Sequence, residues 1–446
     1  MYKIFTLIGL LLLTGFLQAQ RQISLEDAKS MALEQNAGYL AKKAEYEAAK
    51  WQKTNAFSAF LPNLSLGGTY LYMDPARTVN TGSQSMRLNK DQRSISLNLS
   101  QVLFAGGKLY QSYKIAALSA EMIQRDLTAN RLQTTNEVEA KYYSVLQMKE
   151  VYSIAQAEYE QAGANLELAE LKLSNGLLAN ADYLRFQADL ANKDIALLQS
   201  ETAYELALRD FSKHLGSEEL LEPLSLAPED NEILPFADLA RAQLKEFGER
   251  LLEIAKADNL SLQNIQNGVE LSRRAYKISK GSFLPSVSLV GSRAYDENGI
   301  DRYEFEASNQ IMLNLSVPLL PQVGNVAASR KAYYDSQRAV MEAKGAQDGI
   351  MLGISASVIK LVSSARQVKN ARLSLSITEE MYAQLSERFR LNMISAMEFM
   401  DAEIMLSAAR MAHANAYYEF MKARLALLNN LGSDDDAVLH DILSQL

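Results

Sequence analysis

The chain has 446 residues, 45 basic against 53 acidic side chains for a formal net charge of −8, and no cysteine. The missing thiols exclude disulfides, thiol catalysis, thiolate metal sites and a lipidated amino-terminal cysteine, so only non-covalent packing holds the fold. The acidic balance argues against nucleic acid, because neutralising phosphates needs clustered Lys and Arg.

At the amino terminus a lone Lys3 precedes an apolar run from Ile4 to Leu17, then Gln18-Ala19 before Gln20. This order of charge, apolar core and small residue predicts a secretory signal peptide over 1–19, cut after Ala19. A retained anchor is the alternative, but the run falls short of the roughly 20 residues that span a bilayer. Removing Lys3 with the leader moves the net charge from −8 to −9. Past residue 20 there is no long uninterrupted apolar segment, so no transmembrane helix is expected and any membrane entry must be by strands.

The rest of the chain repeats one plan. Phe60-Leu61-Pro62-Asn63-Leu64-Ser65-Leu66 returns as Phe283-Leu284-Pro285-Ser286-Val287-Ser288-Leu289, a shift of 223, and Asn36 falls on Asn259 at the same shift. Leu97-Asn98-Leu99-Ser100 returns as Leu313-Asn314-Leu315-Ser316 and Leu215-Gly216 as Leu431-Gly432, now shifted by 216. The drop of seven between Pro62 and Leu97 places one length difference inside a single loop, where such changes are tolerated.

The first repeat covers 20–216. A helix is expected from about Ser24 to Ala59, with Ser24 and Asp27 spaced as a capping box. Strands follow over 60–72 and 93–104. Leu64, Leu66, Tyr70 and Tyr72 alternate with Asn63, Ser65, Gly67 and Thr69, and Ile95, Leu97 and Leu99 with Ser94, Ser96, Asn98 and Ser100. About ten alternating residues suit a tilted membrane strand with a polar lumen side, although a half-buried sheet in a soluble protein alternates in the same way. Aromatic residues such as Phe57, Phe60 and Phe104 cluster near the strand ends, as interfacial girdles do.

A long helix over 107–174 and a shorter one over 181–214 complete the repeat. Val138, Val145, Tyr152, Tyr159, Leu166 and Leu173 fall seven apart, with Ala155, Ala162 and Ala169 three residues after their neighbours. Large knobs alternating with small holes predict coiled-coil packing. At 1.5 Å per residue such a helix is on the order of 100 Å long, too long for a compact domain. The segment 217–235, with Pro223, Pro228 and Pro235 among acidic residues, reads as a linker or equatorial segment with little structure of its own.

The second repeat, 236–446, has a helix, strands over 284–295 and 305–317, a long helix over 326–392, a shorter helix over 395–431 and a tail. Its heptad, Ile354, Leu361, Val368, Leu375, Tyr382 and Phe389, sits 216 residues after the first. The expected fold is therefore mainly α with a β part: a tandem-repeat coiled-coil barrel of long helices plus four strands per subunit. Four strands cannot close a barrel, and an open edge in lipid strands backbone groups at several kcal/mol each. Three subunits would supply about twelve strands.

Taken together, the Leu25-Glu26-Asp27-Ala28 opening with Ala32-Leu33-Glu34-Gln35-Asn36, the two Phe-Leu-Pro strand entries, Phe104-Ala105-Gly106-Gly107-Lys108 at a strand exit and the tandem repeat resemble TolC-type outer-membrane efflux proteins over nearly the whole mature chain. The resemblance implies a homotrimer with a twelve-stranded transmembrane barrel in the outer membrane. It also implies a periplasmic helical tunnel, docked through a periplasmic adaptor on an inner-membrane transporter, passive and without a cofactor. The tips where long helix turns into short helix would then be the docking points: Asn175-Gly176-Leu177-Leu178 and Asn392-Met393-Ile394-Ser395. Asp182, Glu398 and Asp401 would form the pore gate. The second tip departs from the family pattern at Asn392 and Ile394, where glycine and a basic residue are common. From the residues alone, Glu398 and Asp401 have a second explanation, since acids at a helix amino terminus gain roughly 0.3–1 kcal/mol from its dipole.

Catalysis finds little support. The three histidines, His214, His413 and His440, form no cluster in sequence, and Gly106-Gly107-Lys108 lacks the upstream glycine and the hydroxyl residue of a phosphate loop. The competing readings are a periplasmic coiled-coil adaptor and a surface stalk or adhesin without a bore; an adaptor carries one hairpin, whereas this chain carries two.

Overall fold

A computed structural model of the protein describes residues 21–82, 84–225, 230–297, 304–319, 323–433 and 436–445. The expected leader over 1–19 and Pro228 lie outside them. In chain order the elements are β1 (Arg21–Ile23), α1 (Leu25–Gln35), α2 (Ala37–Ser58), β2 (Asn63–Tyr72), β3 (Thr78–Thr81), β4 (Gln84–Arg87), β5 (Asp91–Ala105), α3 (Lys108–Ser174) and α4 (Asn180–His214). They continue with β6 (Leu221–Pro223), α5 (Asp230–Ala237), α6 (Arg241–Asp258), α7 (Leu260–Gly281), β7 (Ser286–Glu297), β8 (Phe305–Ser316), α8 (Val323–Arg390), α9 (Ala396–Leu431) and α10 (Ala437–Ser444). The chain divides into two compact units: Ala44–Asp126 with Ser261–Gln347, and Met1–Lys43 with Leu127–Leu260 and Asp348–Leu446.

The first unit holds a four-stranded antiparallel sheet in the order β2-β5-β7-β8. Its register sets Leu64 beside Leu99, Leu99 beside Gly291 and Gly291 beside Ile311, while on the other face Ser65, Asn98, Ser292 and Gln310 form one row. The alternation read from the sequence holds along these rows, while the next row on the apolar face, Leu66-Leu97-Arg293-Asn309, ends in two polar residues. Leu66 is 75% and Ile311 84% exposed on that face. Among the described residues both edge strands, β2 and β8, are unpaired on their outer sides. A bulge between Val102 and Phe104 re-aims the last turn of β5. The loop after β2 folds into the β3-β4 hairpin.

Two glycines make the strand-to-helix junction possible. Gly106 has φ +63°, and a Cβ there would lie 2.2 Å from the carbonyl oxygen of Gly281. A Cβ on Gly281 would in turn lie 2.5 Å from the Gly106 oxygen. Neither backbone could approach the other if either residue carried a side chain.

The second unit is helical apart from a short parallel pair, β1 with β6. The sequence predicted one helix from Ser24 to Ala59; the structure has two, broken at Asn36, whose ψ is 119°. The Asn36 side chain accounts for the break. Its Oδ1 accepts from the Tyr39 N–H at 3.0 Å, and its Nδ2 donates to the His214 carbonyl at 2.9 Å, at the end of α4. Asn259 does the same in the other repeat, donating to the Asn430 carbonyl at 2.9 Å near the end of α9. The repeated Asn and the repeated Leu-Gly, separate in sequence, therefore meet in space: Gly216 with Gln35, and Gly432 with Asn259.

The linker also differs from expectation. Residues 221–223 form β6, held by Ser212 Oγ accepting from the Leu221 N–H at 2.9 Å, and Pro235 lies inside α5. Leu221 and Ile233 of the segment are buried in the core, beside Phe236, which packs against Phe247 and Phe420. Tyr142 donates to the Leu224 carbonyl at 2.6 Å from its buried position. Of the heptad knobs, Val138, Val145, Ile354 and Leu361 are fully buried, as are the small residues Ala162 and Ala169.

One window bears on the expectation of no transmembrane helix: α8 contains an 18-residue stretch of mean hydropathy 1.3, apolar enough by composition alone to cross a membrane and one-third buried. Ile354, Val358, Leu361 and Val362 of that helix are buried in the helical core. Leu352 and Ile359 of the same helix are exposed, so packing within one chain accounts for part of that apolar length.

Candidate functional site at the helix tips

The two tips are built alike. α3 ends in a Schellman turn, with the Leu177 N–H donating to the Lys172 carbonyl at 2.8 Å and Gly176 at φ +68°. α8 ends the same way, with the Met393 N–H donating to the Arg388 carbonyl at 2.8 Å. Its left-handed position is held by Asn392 at φ +60°, a conformation asparagine tolerates better than other residues with a side chain. The departure from glycine at Asn392 is thus accommodated without changing the turn. Ser395 caps α9 by accepting from the Glu398 N–H at 3.2 Å, whereas its mate Ala179 gives α4 no side-chain cap.

Between the turns lies a small aromatic core. Phe389 and Phe399 stack at 4.6 Å, Phe186 lies 5.8 Å from Phe389, and Ala169 and Ala396 close the cluster. Leu178 and Ile394 pack against it, while Leu177 and Met393 are exposed. The four residues therefore divide in pairs, two holding the tip together and two presented outward.

Of the sequence-selected acids, Asp182 is half-buried and sits 3.7 Å from Arg185 on its own helix. Glu398 and Asp401 are exposed one turn apart on α9, and among the described residues neither carboxylate has an ion pair. Asn175 uses its side chain to bind the Leu171 carbonyl at 2.7 Å.

Sequence reasoning missed Lys172. It is buried, yet its ammonium donates to the Phe389 carbonyl at 2.7 Å and to the Asn392 side chain, and lies 4.6 Å from the centre of the Phe389 ring. Burial lowers its pKa from the usual lysine value. It caps the end of α8 from α3, a cation placed on the negative end of the helix dipole.

A second polar group lies deeper in the bundle. Asn165 donates to Glu403 at 2.5 Å, and Lys193 pairs with Glu158 at 2.7 Å. Glu158, Lys193 and Glu403 line a cavity of about 210 Å³ together with Tyr382 and Arg410. Burial, then the charge of nearby Asp189, raises the Glu403 pKa to about 7. Glu158, Asn165 and Lys172 recur seven apart beside the knob stripe of α3; this polar column was the available signal.

A four-stranded sheet with an uncovered apolar face, joined to paired helices of 67 and 68 residues, defines an outer-membrane channel protein with a helical tunnel. The chain belongs to the outer membrane efflux protein family, whose model matches residues 28–217 and 251–433. It is 23% identical over 435 residues to the outer membrane protein TolC of Vibrio cholerae serotype O1, covering 94% of this chain and 93% of that one. It is 22% identical over 433 residues to the alkaline protease secretion protein AprF of Pseudomonas aeruginosa, covering 94% and 86%. The fold superposes on the Campylobacter jejuni CmeC outer membrane channel with a TM-score of 0.76 at 16% identity, covering 95% and 89%. The protein is thus an outer-membrane channel subunit of an efflux or secretion system, and not an enzyme; the adaptor and adhesin readings fall with that assignment.

Proposed function

We propose that the protein works as a passive homotrimeric conduit from periplasm to exterior, engaging a periplasmic adaptor and through it an inner-membrane transporter. The observation that carries the reading is the sheet with two unpaired edges, since four strands per copy need further copies to close a wall in lipid. Twelve strands from three copies is an even number, as such barrels favour. The name of the AprF relative speaks of protease secretion, so protein cargo stands beside small molecules here.

The tips supply the gate and the docking points. Leu177 and Met393, exposed at the two turns, offer apolar side chains to an adaptor. Three copies of Asp182, Glu398 and Asp401 around an axis make a negative constriction that attracts cations. Lys172 is the catch that fastens the end of α8 to α3 within one subunit.

Single-channel recording in planar bilayers tests this. The purified protein is expected to conduct weakly and prefer cations; Glu398→Gln with Asp401→Asn should move the reversal potential toward zero under a salt gradient. Lys172→Met should raise resting conductance several-fold by releasing the α8 end. A trimer that stays silent with all these substitutions would refute the conduit.

A further inference from the structure

Acidic residues are absent from four stretches that join the sheet to its helices. No Asp or Glu occurs between Glu47 and Asp74, Asp91 and Glu121, Glu270 and Asp296, or Glu306 and Asp335. At the loop end of the sheet acids return at once, as Asp91 opens β5 and Asp296 and Glu306 lie within β7 and β8. At the helix end the acid-free zone continues past the strands for a further three turns or so of α2, α3, α7 and α8, about 16–20 Å at 1.5 Å per residue.

Lipid explains missing acids in the strands but not in those helical turns, because the same turns hold ten Lys and Arg: two each in α2, α3 and α8 and four in α7. The placement is doubled with the repeat, since Lys50 matches Arg273 at a shift of 223 and Lys114 matches Arg330 at 216. Three of the cations reach acids only at the far border of the zone: Lys50 to Glu47 at 2.6 Å, Arg274 to Glu270 at 2.8 Å and Lys331 to Asp335 at 2.7 Å. Lys53, Arg273, Lys277 and Arg330 are exposed and, among the described residues, make no ion pair. A cavity of about 560 Å³ opens beside Lys50, Lys53, Lys114 and Arg274, with the bordering acids Glu121 and Glu270 also in its wall.

Aromatic side chains share this level. Trp51 is 72%, Tyr334 65% and Tyr110 52% exposed, and amphipathic rings beside Lys and Arg mark a membrane–water boundary rather than an aqueous bore. The headgroup layer extends roughly 5–8 Å beyond the hydrocarbon. Lysine and arginine stems can lift their charges toward it from the first turns of the helices.

We propose that this acid-free collar binds the anionic headgroups of phospholipids in the periplasmic leaflet and sets the depth at which the channel sits. The occupant is argued from charge complementarity and from continuity with the membrane-facing sheet, and the inference rests on that sheet spanning the outer membrane. Each cation near an anionic surface strengthens binding on the order of fivefold at low salt.

The test uses the assembled full-length protein in neutral detergent, titrated with phosphatidylglycerol or phosphatidylcholine and read by native mass spectrometry and thermal unfolding. The parent is expected to retain phosphatidylglycerol at least tenfold better than phosphatidylcholine, with the preference falling as salt rises. Lys53→Gln, Arg273→Gln, Lys277→Gln and Arg330→Gln together should abolish it, whereas Arg209→Gln with Lys245→Gln, exposed cations of the second unit, should not. If the fourfold variant fails to assemble, Lys53→Gln and Arg330→Gln singly should each lower the preference on the order of fivefold. No preference in the parent, a preference untouched by the substitutions, or equal protection by inorganic phosphate alone would overturn the proposal. Conductance of the same preparations reports the channel reading separately, since a conducting trimer without lipid preference sinks only the collar.

Discussion

At the scale of single residues, the least legible feature is a carboxyl group that titrates near neutrality. Glu403 is faced by Glu158 and Asn165 from α3, Asp189 and Lys193 from α4, Tyr382 from α8 and Arg410 on its own helix. These partners lie up to 245 residues away, so no spacing rule could have assembled them. Burial raises its pKa from 4.5 to about 7; the folded chain therefore holds this proton more tightly than the unfolded one. The stability it contributes is complete below about pH 4.5 and is lost as the pH rises through 7, a change of at most about 3 kcal/mol. Glu403→Gln is expected to leave the melting temperature nearly unchanged at pH 5 and to raise it at pH 8. A parent-like decline between those pH values in the variant would show that another group is responsible. Lys172 was hidden for a related reason, since a lysine in a charged helix reads as solvated surface until its partner, the end of a helix 217 residues on, is seen.

At the scale of elements, periodicity carried most of the fold. The seven-residue beat reports which side of a long helix is buried, and the two-residue beat reports the faces of the sheet; both signals are local and survive without knowledge of partners. Breaks are harder, because they depend on what a side chain finds elsewhere. Asn36 was visible as a repeated residue, but its role in ending α1 depends on the His214 carbonyl at the end of α4. The segment after Leu215 looked unstructured because its prolines were weighed without the strand β1 that pairs with it. The glycine pair at the strand exit gives a sharp expectation. Gly106→Ala places a methyl group 2.2 Å from the Gly281 oxygen at a positive φ, and should cost more than about 2 kcal/mol. Denaturant unfolding of the variant would show it; Gly107→Ala, with open space around its Cβ but φ +77°, should cost less.

At the scale of the whole molecule, the sequence indicated a doubled unit and the need for partners around the sheet, while the identity of the neighbour is tested by chemistry the chain itself makes convenient. With no native cysteine, introduced thiols report only on each other. Ser65→Cys in β2, combined in turn with cysteine at Ser308, Gln310 or Asn314 of β8, should yield disulfide-linked dimers and trimers for at least one combination when membranes are oxidised. Bridging requires Cα atoms within about 7 Å, so a positive pair also fixes the register between subunits. Monomers alone from every combination would exclude pairing of the two edges.

The chain places its first long strand and its last at opposite borders of one sheet. Every seam closed between copies is consequently a seam between separately made polypeptides. On the homotrimeric reading proposed above, a lone copy carries its greasy surface bare and both margins unsatisfied. On that reading insertion into lipid and meeting the other copies are one event, and its speed should rise steeply with how many copies arrive together.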